Sequence, residues 1–196
     1  MDYSNLKIVL IDNYDSFTYN LVHLIEKVTN VVPVVIRNDE VFIDELELFD
    51  FIVLSPGPGI PSEAGKLNEI IKKYYLTKPI FGVCLGLQAI VEVFGGSLEN
   101  MKKVYHGVST EIEIIDKNSK IFKNLKTSLM VGRYHSWVAS CNDFPNEFNI
   151  TAVDKNNKIM AIEHHTLPIY GVQFHPESIL TPNGEDIVYN IFSNLK

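Results

Sequence analysis

The sequence predicts an α/β fold with a central, mostly parallel sheet, helices on both faces and antiparallel strands added in the C-terminal half. In the first half, short apolar runs end in polar or Pro/Gly turns, and stretches with apolar residues at helical spacing follow them. From about Val104, short strands and turns replace this alternation. Strands alternating with helices are typical of a parallel sheet covered on both faces.

The first half supplies the parallel part of the sheet. Its predicted strands are "LKIVLID", "VVPVVIR", "DFIVL" and "PIFGV". Helical patterns cover residues 16–28 and 64–75, and a third helix begins with "LQAIVEVF" after the last of these strands. Helices between strands supply the crossover connections that a parallel sheet needs.

The second half supplies the predicted antiparallel strands and a closing helix. The strands are "STEIEII", "LMVGRYHSWV", "ITAVD", "KIMAIEHH" and "IYGVQF", and the helix covers "NGEDIVYNIFSNL", residues 183–195. No internal repeat, low-complexity segment or linker interrupts the chain, so we expect a single domain over residues 1–196.

Composition excludes several classes of partner. The formal net charge is −7, with no cluster of basic residues, so we expect no nucleic-acid or anionic membrane partner. No apolar run approaches the roughly 20 residues of a membrane-spanning helix, and the N-terminus does not resemble a signal peptide. Cys84 and Cys141 stand in unrelated contexts. These features predict a reduced, cytoplasmic protein.

Cys84 lies in a G-x-C-x-G pattern between a buried strand and a helical pattern. A sharp turn there crowds the backbone, so small residues are needed two positions before and after its apex, and Gly82 and Gly86 supply them. The helix N-terminus favours the thiolate, and the N–H group of Leu85 could bind a developing oxyanion. The alternative is that Cys84 is a small buried hydrophobe, which is the usual state of a free cysteine.

A nucleophile needs a base, and His175 is the best placed of six histidines. It ends the strand "IYGVQF", and Pro176 restricts the backbone toward an extended form that places Glu177 on the same side. Glu177 could then orient the imidazole, as the third member of a triad does. The alternative is a strand-end turn with a solvated Glu177.

The segment "SPGPG", residues 55–59, is the third element of the predicted site. Its glycines and prolines fix an unusual main-chain path after the strand "DFIVL", and Gly57 is a candidate second oxyanion donor beside Leu85. The alternative is a tight turn without function. We expect no metal site, because neither cysteine has a CxxC partner and His164–His165 lacks ligand spacing.

Together, "SPGPG", "GVCLGLQAI" and "GVQFHPES" resemble the motifs of the class I glutamine amidotransferases, over nearly the whole chain. The resemblance implies a flavodoxin-like fold and a Cys84–His175–Glu177 triad that releases ammonia from L-glutamine without a cofactor. It further implies that Gly57 and Leu85 donate to the oxyanion. The implied contacts to glutamine are Pro58, Gly59, Gln88, Ser136 and Trp137.

Within that family, "IDNYDSFTYNL", "VYHGV" and "GRYHSW" resemble the glutaminase subunits of chorismate-using synthases. The implied partner is a chorismate-binding large subunit, with anthranilate synthase favoured over aminodeoxychorismate synthase. Three residues depart from common family choices: Leu87 replaces a frequent His, Val108 a frequent Lys and Trp137 a common Leu. Val108 bears on the partner rather than on the chemistry.

Two other functions fit the same residues. One is a free-standing thiol hydrolase acting on γ-glutamyl or other amides with the same triad and no partner. The other is a non-catalytic, flavodoxin-like binding module, which the intact Cys, His and Glu set disfavours. The sequence leaves the aminated product open.

Overall fold

The computed structural model describes residues 3–102 and 104–194. The strands are β1 Ile8–Asp12, β2 Val34–Arg37, β3 Phe51–Leu54, β4 Ile80–Val83, β5 Leu98–Asn100, β6 Val108–Ile114, β7 Ser128–Arg133, β8 Trp137–Ala139, β9 Phe148–Asp154, β10 Ile159–His164 and β11 Ile169–Val172. The α-helices are α1 Thr18–Thr29, α2 Leu67–Tyr74, α3 Leu85–Val93 and α4 Gly184–Ser193. Among these residues, no helix is long and apolar enough to span a bilayer.

Nine strands form one sheet in the order β2-β1-β3-β4-β11-β10-β9-β6-β7. The first five are parallel and the other four continue antiparallel, which confirms the predicted mixed sheet. The prediction for "IYGVQF" was wrong in one respect: β11 pairs parallel with β4 as well as antiparallel with β10. All four β11 residues are buried, because the strand lies in the middle of the sheet.

The predicted strand "LMVGRYHSWV" is two strands. β7 ends at Arg133, and β8 begins at Trp137 and pairs with β5 in a separate two-stranded sheet. The chain leaves the main sheet because the buried His135 bonds to both Arg133 and the Trp137 carbonyl. Three-residue β5 was not predicted, since so short a segment carries no periodic signal.

The helices cover both faces of the sheet, as predicted. α1 packs against α4 on one face, and α2 packs against α3 on the other. Alternate residues of β1 enter different cores: Ile8 and Leu10 pack beneath α1 and α4, whereas Val9 and Ile11 pack beneath α2 and α3. The α1 and α2 helices begin later than predicted, at Thr18 and Leu67. The closing helix is confirmed as α4; residue 195 lies outside the described residues.

The turn from β4 into α3 is as crowded as the G-x-C-x-G pattern requires. A Cβ atom on Gly82 would lie 2.5 Å from the carbonyl carbon of Gly86, and one on Gly86 would lie 2.6 Å from the carbonyl oxygen of Leu54. Both obstacles are backbone atoms, so neither can move aside as a flexible side chain would. The helix therefore packs directly onto the ends of β3 and β4.

We expect Gly86→Ala to lower the free energy of unfolding by about 3 kcal/mol, because the added methyl overlaps the Leu54 carbonyl. Gly95→Ala is the matched control: its Cβ meets no atom within 4 Å, but the residue has φ +89°, so only backbone strain of about 1 kcal/mol is expected. Chemical denaturation measures both. An equal or smaller loss for Gly86→Ala would contradict the crowded-turn interpretation.

Candidate active site

The candidate site lies at the carboxyl ends of four neighbouring parallel strands, β1, β3, β4 and β11. The segments that follow these strands begin with Asn13, Ser55, Cys84 and Gln173. In open α/β sheets, ligands bind outside the carboxyl ends of the strands. The topology thus brings together segments that are distant in the chain.

Cys84 lies at the apex of the turn, at the N-cap of α3. Its φ of 53° and ψ of −101° are an unusual backbone conformation for a residue with a side chain, of a kind that costs about 1–3 kcal/mol. Its N–H group donates to the Val172 carbonyl of β11 at 2.8 Å, which fixes the turn against the neighbouring strand. The side chain is buried, with Leu85 as the first residue of the helix.

His175 and Glu177 form the predicted pair, but the extended backbone predicted between them was wrong. The chain turns at Pro176 and Glu177, and the N–H of Ser178 donates to the His175 carbonyl at 3.2 Å. Nδ1 of His175 lies 2.6 Å from Oε1 of Glu177, and both side chains are buried. The His175 backbone is also fixed: its N–H donates to the Gly132 carbonyl at 3.0 Å, and its carbonyl accepts the Thr181 hydroxyl at 2.6 Å. β7 therefore helps to position the imidazole.

The second imidazole nitrogen of His175 is directed to the thiol rather than to a third protein partner. Nε2 is buried and makes no hydrogen bond of ordinary geometry among the described residues. Burial lowers the pKa of His175, but the interactions with Cys84 and Glu177 outweigh it and raise the pKa well above its ordinary value. The arrangement favours an imidazolium between a sulfur and a carboxylate.

Two aromatic rings enclose the His175 imidazole. The Tyr134 ring centroid lies 4.8 Å away and the Phe17 centroid 5.9 Å away. The Tyr134 hydroxyl is 3.0 Å from Oγ of Ser178, which ties the ring to the segment after Glu177. These rings limit the access of water to the pair.

The "SPGPG" segment packs against the turn that carries Cys84. A Cβ atom at Gly57 would lie 2.6 Å from Cβ of Asn13 and 2.8 Å from a methyl group of Leu85, so only glycine fits. Asn13 holds the segment from the other side, since its N–H donates to the Ser55 hydroxyl and its amide to the Ser55 carbonyl, both at 2.8 Å. Gly57 and Leu85 are therefore neighbours, and their role as paired oxyanion donors stays a prediction.

A cavity of about 180 Å³ lies beside Cys84. Its lining contains the residues Gly57, Pro58, Gly59, Cys84, Gln88, Tyr134, His135, Ser136 and Trp137. All the predicted glutamine contacts therefore lie in one cavity. Leu85 does not line it, but at the first position of α3 its N–H has no partner inside the helix. A larger groove of about 590 Å³ near β6 and β7 has neither a cysteine nor a histidine among the described residues that line it.

Sequence reasoning missed the buried groups behind this cavity. Nε2 of Gln88 lies 2.9 Å from the Trp137 carbonyl, which also accepts the His135 Nδ1–H at 2.9 Å. Nε2 of His135 accepts from Arg133 at 3.1 Å, and Arg133 pairs with Asp154 at 2.7 Å, with both side chains buried. The segment "GRYHSW" was the only signal of this network, and it did not identify the partners.

Asp15 also lies at the site, and the sequence analysis did not predict it. Burial raises the pKa of its carboxyl group, which lies near His175 and Glu177. One potential ligand atom from each of these three residues lies within 4.8 Å of the others. Because His175 Nδ1 is already bonded to Glu177, we interpret the cluster as part of the His–Glu pair rather than as a metal site.

The fold and site together define a class: an α/β protein with a buried Cys, His and Glu set at the carboxyl edge of its sheet. The sequence profile of "Glutamine amidotransferase class-I" matches residues 9–195, and the chain belongs to that family.

Two curated relatives are similar over almost their whole lengths. "Aminodeoxychorismate/anthranilate synthase component 2" of Bacillus subtilis is 46% identical over 96% of this chain and 97% of the relative. "Anthranilate synthase component 2" of Lactococcus lactis is 44% identical over 96% and 94%. Among solved structures, a Thermoplasma acidophilum protein proposed to be part of a GMP synthase has a TM-score of 0.86 and 28% identity, covering 97% of this chain and 94% of that one.

His135 should make the protein sensitive to acid. Burial, with the charge of Arg133, lowers its pKa from 6.5 to about 3, so the unfolded chain binds a proton that the native protein does not. Stability is lost as pH falls below about 6.5, and the loss grows until about pH 3. Between pH 7 and pH 5, we expect wild type to lose about 2 kcal/mol more than His135→Gln in urea denaturation. If both proteins lost the same free energy of unfolding between pH 7 and pH 5, His135 would not be the source of the acid sensitivity.

Proposed function

We propose that this chain is the glutaminase subunit of a chorismate-using synthase, with Cys84, His175 and Glu177 as its catalytic triad. The observation that carries the proposal is the buried 2.6 Å His175–Glu177 pair, whose other ring nitrogen is left for the strained Cys84. The family membership supports glutamine as the substrate. The names of the curated relatives support the synthase.

The first half-reaction releases ammonia. The Cys84 thiolate adds to the side-chain amide carbon of glutamine, and the N–H groups of Gly57 and Leu85 stabilise the resulting oxyanion. His175 donates the Nε2 proton to the amide nitrogen as the C–N bond breaks. The raised pKa of His175 suits it to act as this acid. Glu177 holds the imidazolium throughout.

The second half-reaction regenerates the thiolate. The γ-glutamyl group is now a thioester of Cys84, and neutral His175 removes a proton from water as the water oxygen adds to the thioester carbon. The C–S bond then breaks, glutamate leaves, and sulfur again carries the negative charge beside the imidazolium. Pro58, Gly59, Gln88, Ser136 and Trp137 hold the glutamine in the cavity.

The ammonia needs a protected route to its acceptor. In water at neutral pH it becomes ammonium, which is not a nucleophile, so a partner must cover the cleft. Apolar side chains are exposed around it: Ile179, two residues after Glu177, is 95% exposed, and Val104 is 66% exposed. The segment with Val104 runs beside the cavity wall, because the N–H of Tyr105 donates to the His135 carbonyl. A large subunit that binds chorismate would bury this surface.

Anthranilate synthase is the first choice for the partner. The L. lactis relative carries that name alone. Aminodeoxychorismate synthase is the second candidate, favoured by the B. subtilis relative, whose name includes both products. A free-standing γ-glutamyl hydrolase is the remaining alternative, and it would need no subunit for full activity.

Cys84→Ser separates the two half-reactions. Mixed with a purified large subunit, the variant should lose glutamine-dependent product formation by about 10³-fold or more, because the triad is broken. Synthesis from an ammonium salt should be unchanged, since amination takes place on the partner. Anthranilate and aminodeoxychorismate are measured separately, with each large subunit in turn.

The same assay distinguishes the partners. Stimulation of wild-type glutamine hydrolysis by the anthranilate synthase large subunit supports the first choice, and stimulation by both subunits indicates one glutaminase serving two synthases. If neither subunit stimulates hydrolysis, the chorismate assignment is wrong, and full activity in isolation would then favour the free-standing hydrolase.

A further inference from the structure

Gln173 contacts the nucleophile, and although it stands in "GVQFHPES", the sequence analysis gave it no role. It lies between β11 and His175, is fully buried, and directs its side-chain amide toward Cys84, with Nε2 3.5 Å from Sγ. We propose that Gln173 is a positioning residue, an inference that rests on the proposed function. Its N–H group donates to the Cys84 sulfur, holds that atom at the cavity and stabilises its charged form.

The orientation of the Gln173 amide follows from its neighbours. The Trp137 carbonyl can only accept a hydrogen bond, so the group that Gln88 places 2.9 Å from it must be the NH₂ group. The same nitrogen lies 3.2 Å from Gln173, which must therefore present its oxygen to Gln88. The Gln173 NH₂ group is left to face the sulfur.

The chain of hydrogen bonds continues away from the cavity to a buried ion pair. The Trp137 carbonyl accepts from His135, which stays neutral because its pKa is lowered to about 3. Arg133 donates to the other nitrogen of that ring and is held by Asp154. The network fixes the Gln88 amide, so the amide of Gln173 cannot flip without losing its bonds to both Gln88 and Cys84.

The contact also suits the reaction. Gln173 and His175 are two residues apart, and both side chains interact with Cys84 although the chain bends at Gln173 and Phe174. His175 exchanges protons with the reacting groups, whereas an amide N–H does not titrate and can remain a donor throughout the cycle. A donor to a charged acceptor stabilises it more than a neutral pair does. The Cys84 sulfur thus has two partners: His175, which gains and loses a proton during the reaction, and Gln173, which does not.

The test is the reactivity of Cys84 without glutamine. Gln173→Met keeps the length of the side chain but removes the donor, so the rate of Cys84 alkylation by iodoacetamide at pH 7 should fall about tenfold. Peptide mapping assigns the modified cysteine, and ultraviolet absorbance reports the loss of thiolate. With glutamine and the large subunit present, kcat should fall by a similar factor, while KM changes less than about threefold.

Asn190→Leu is the matched control. Asn190 is also a buried primary amide, but it bonds to the carbonyls of Ile121 and Lys123, away from the cavity. Loss of the Asn190 amide should lower the free energy of unfolding without changing the rate of Cys84 alkylation or the thiolate absorbance. A merely structural role for Gln173 would give the same pattern as this control.

A second variant keeps the test decisive if Gln173→Met does not fold. Gln173→Glu has the same shape, still accepts from Gln88, but cannot donate to sulfur when ionised, so it should also slow alkylation. Wild-type alkylation in a folded variant at this position would overturn the proposal. If the variants alkylate slowly but no protein, wild type included, hydrolyses glutamine, the proposed function fails and the positioning role stands.

Discussion

The close approach of Gly82 to the backbone of Gly86 is the constraint on which the rest of the site depends. With no side chain at either position, α3 begins directly on the ends of β3 and β4, and Cys84 takes the strained backbone conformation that places its sulfur at the sheet edge. Cys84 is buried, as free cysteines usually are, but it also lines the cavity.

The sheet then determines what meets the thiol. Because β4 and β11 are parallel neighbours, their carboxyl ends place Cys84 beside Gln173 and His175, although Gln173 lies 89 residues further along the chain. The antiparallel strands contribute from behind: β7 fixes the His175 backbone through Gly132, and Arg133 anchors the network that reaches Gln88. The antiparallel half of the sheet therefore positions residues of the site as well as completing the sheet.

Local signals explain which parts the sequence could predict. Continuous apolar runs identified the parallel strands, and the small residues around Cys84 identified the turn, since both depend on neighbours in the chain. The division of "LMVGRYHSWV" into β7 and β8 was missed because it depends on His135 finding Arg133 and the Trp137 carbonyl in the folded chain. Gln173 and Asp15 were missed for the same reason: their importance comes from groups that only tertiary structure places beside them.

The most direct measurement of the central claim is covalent labelling by a glutamine-derived diazo-ketone, followed by mass mapping. Cys141 is an internal control, because it is the more exposed of the two thiols. Its partial burial raises its pKa, which disfavours the reactive thiolate form. We expect modification of Cys84 alone, slowed by excess glutamine, because only Cys84 combines a recognition cavity with an activated sulfur. Modification of Cys141 with Cys84 left intact would contradict the assignment of the nucleophile.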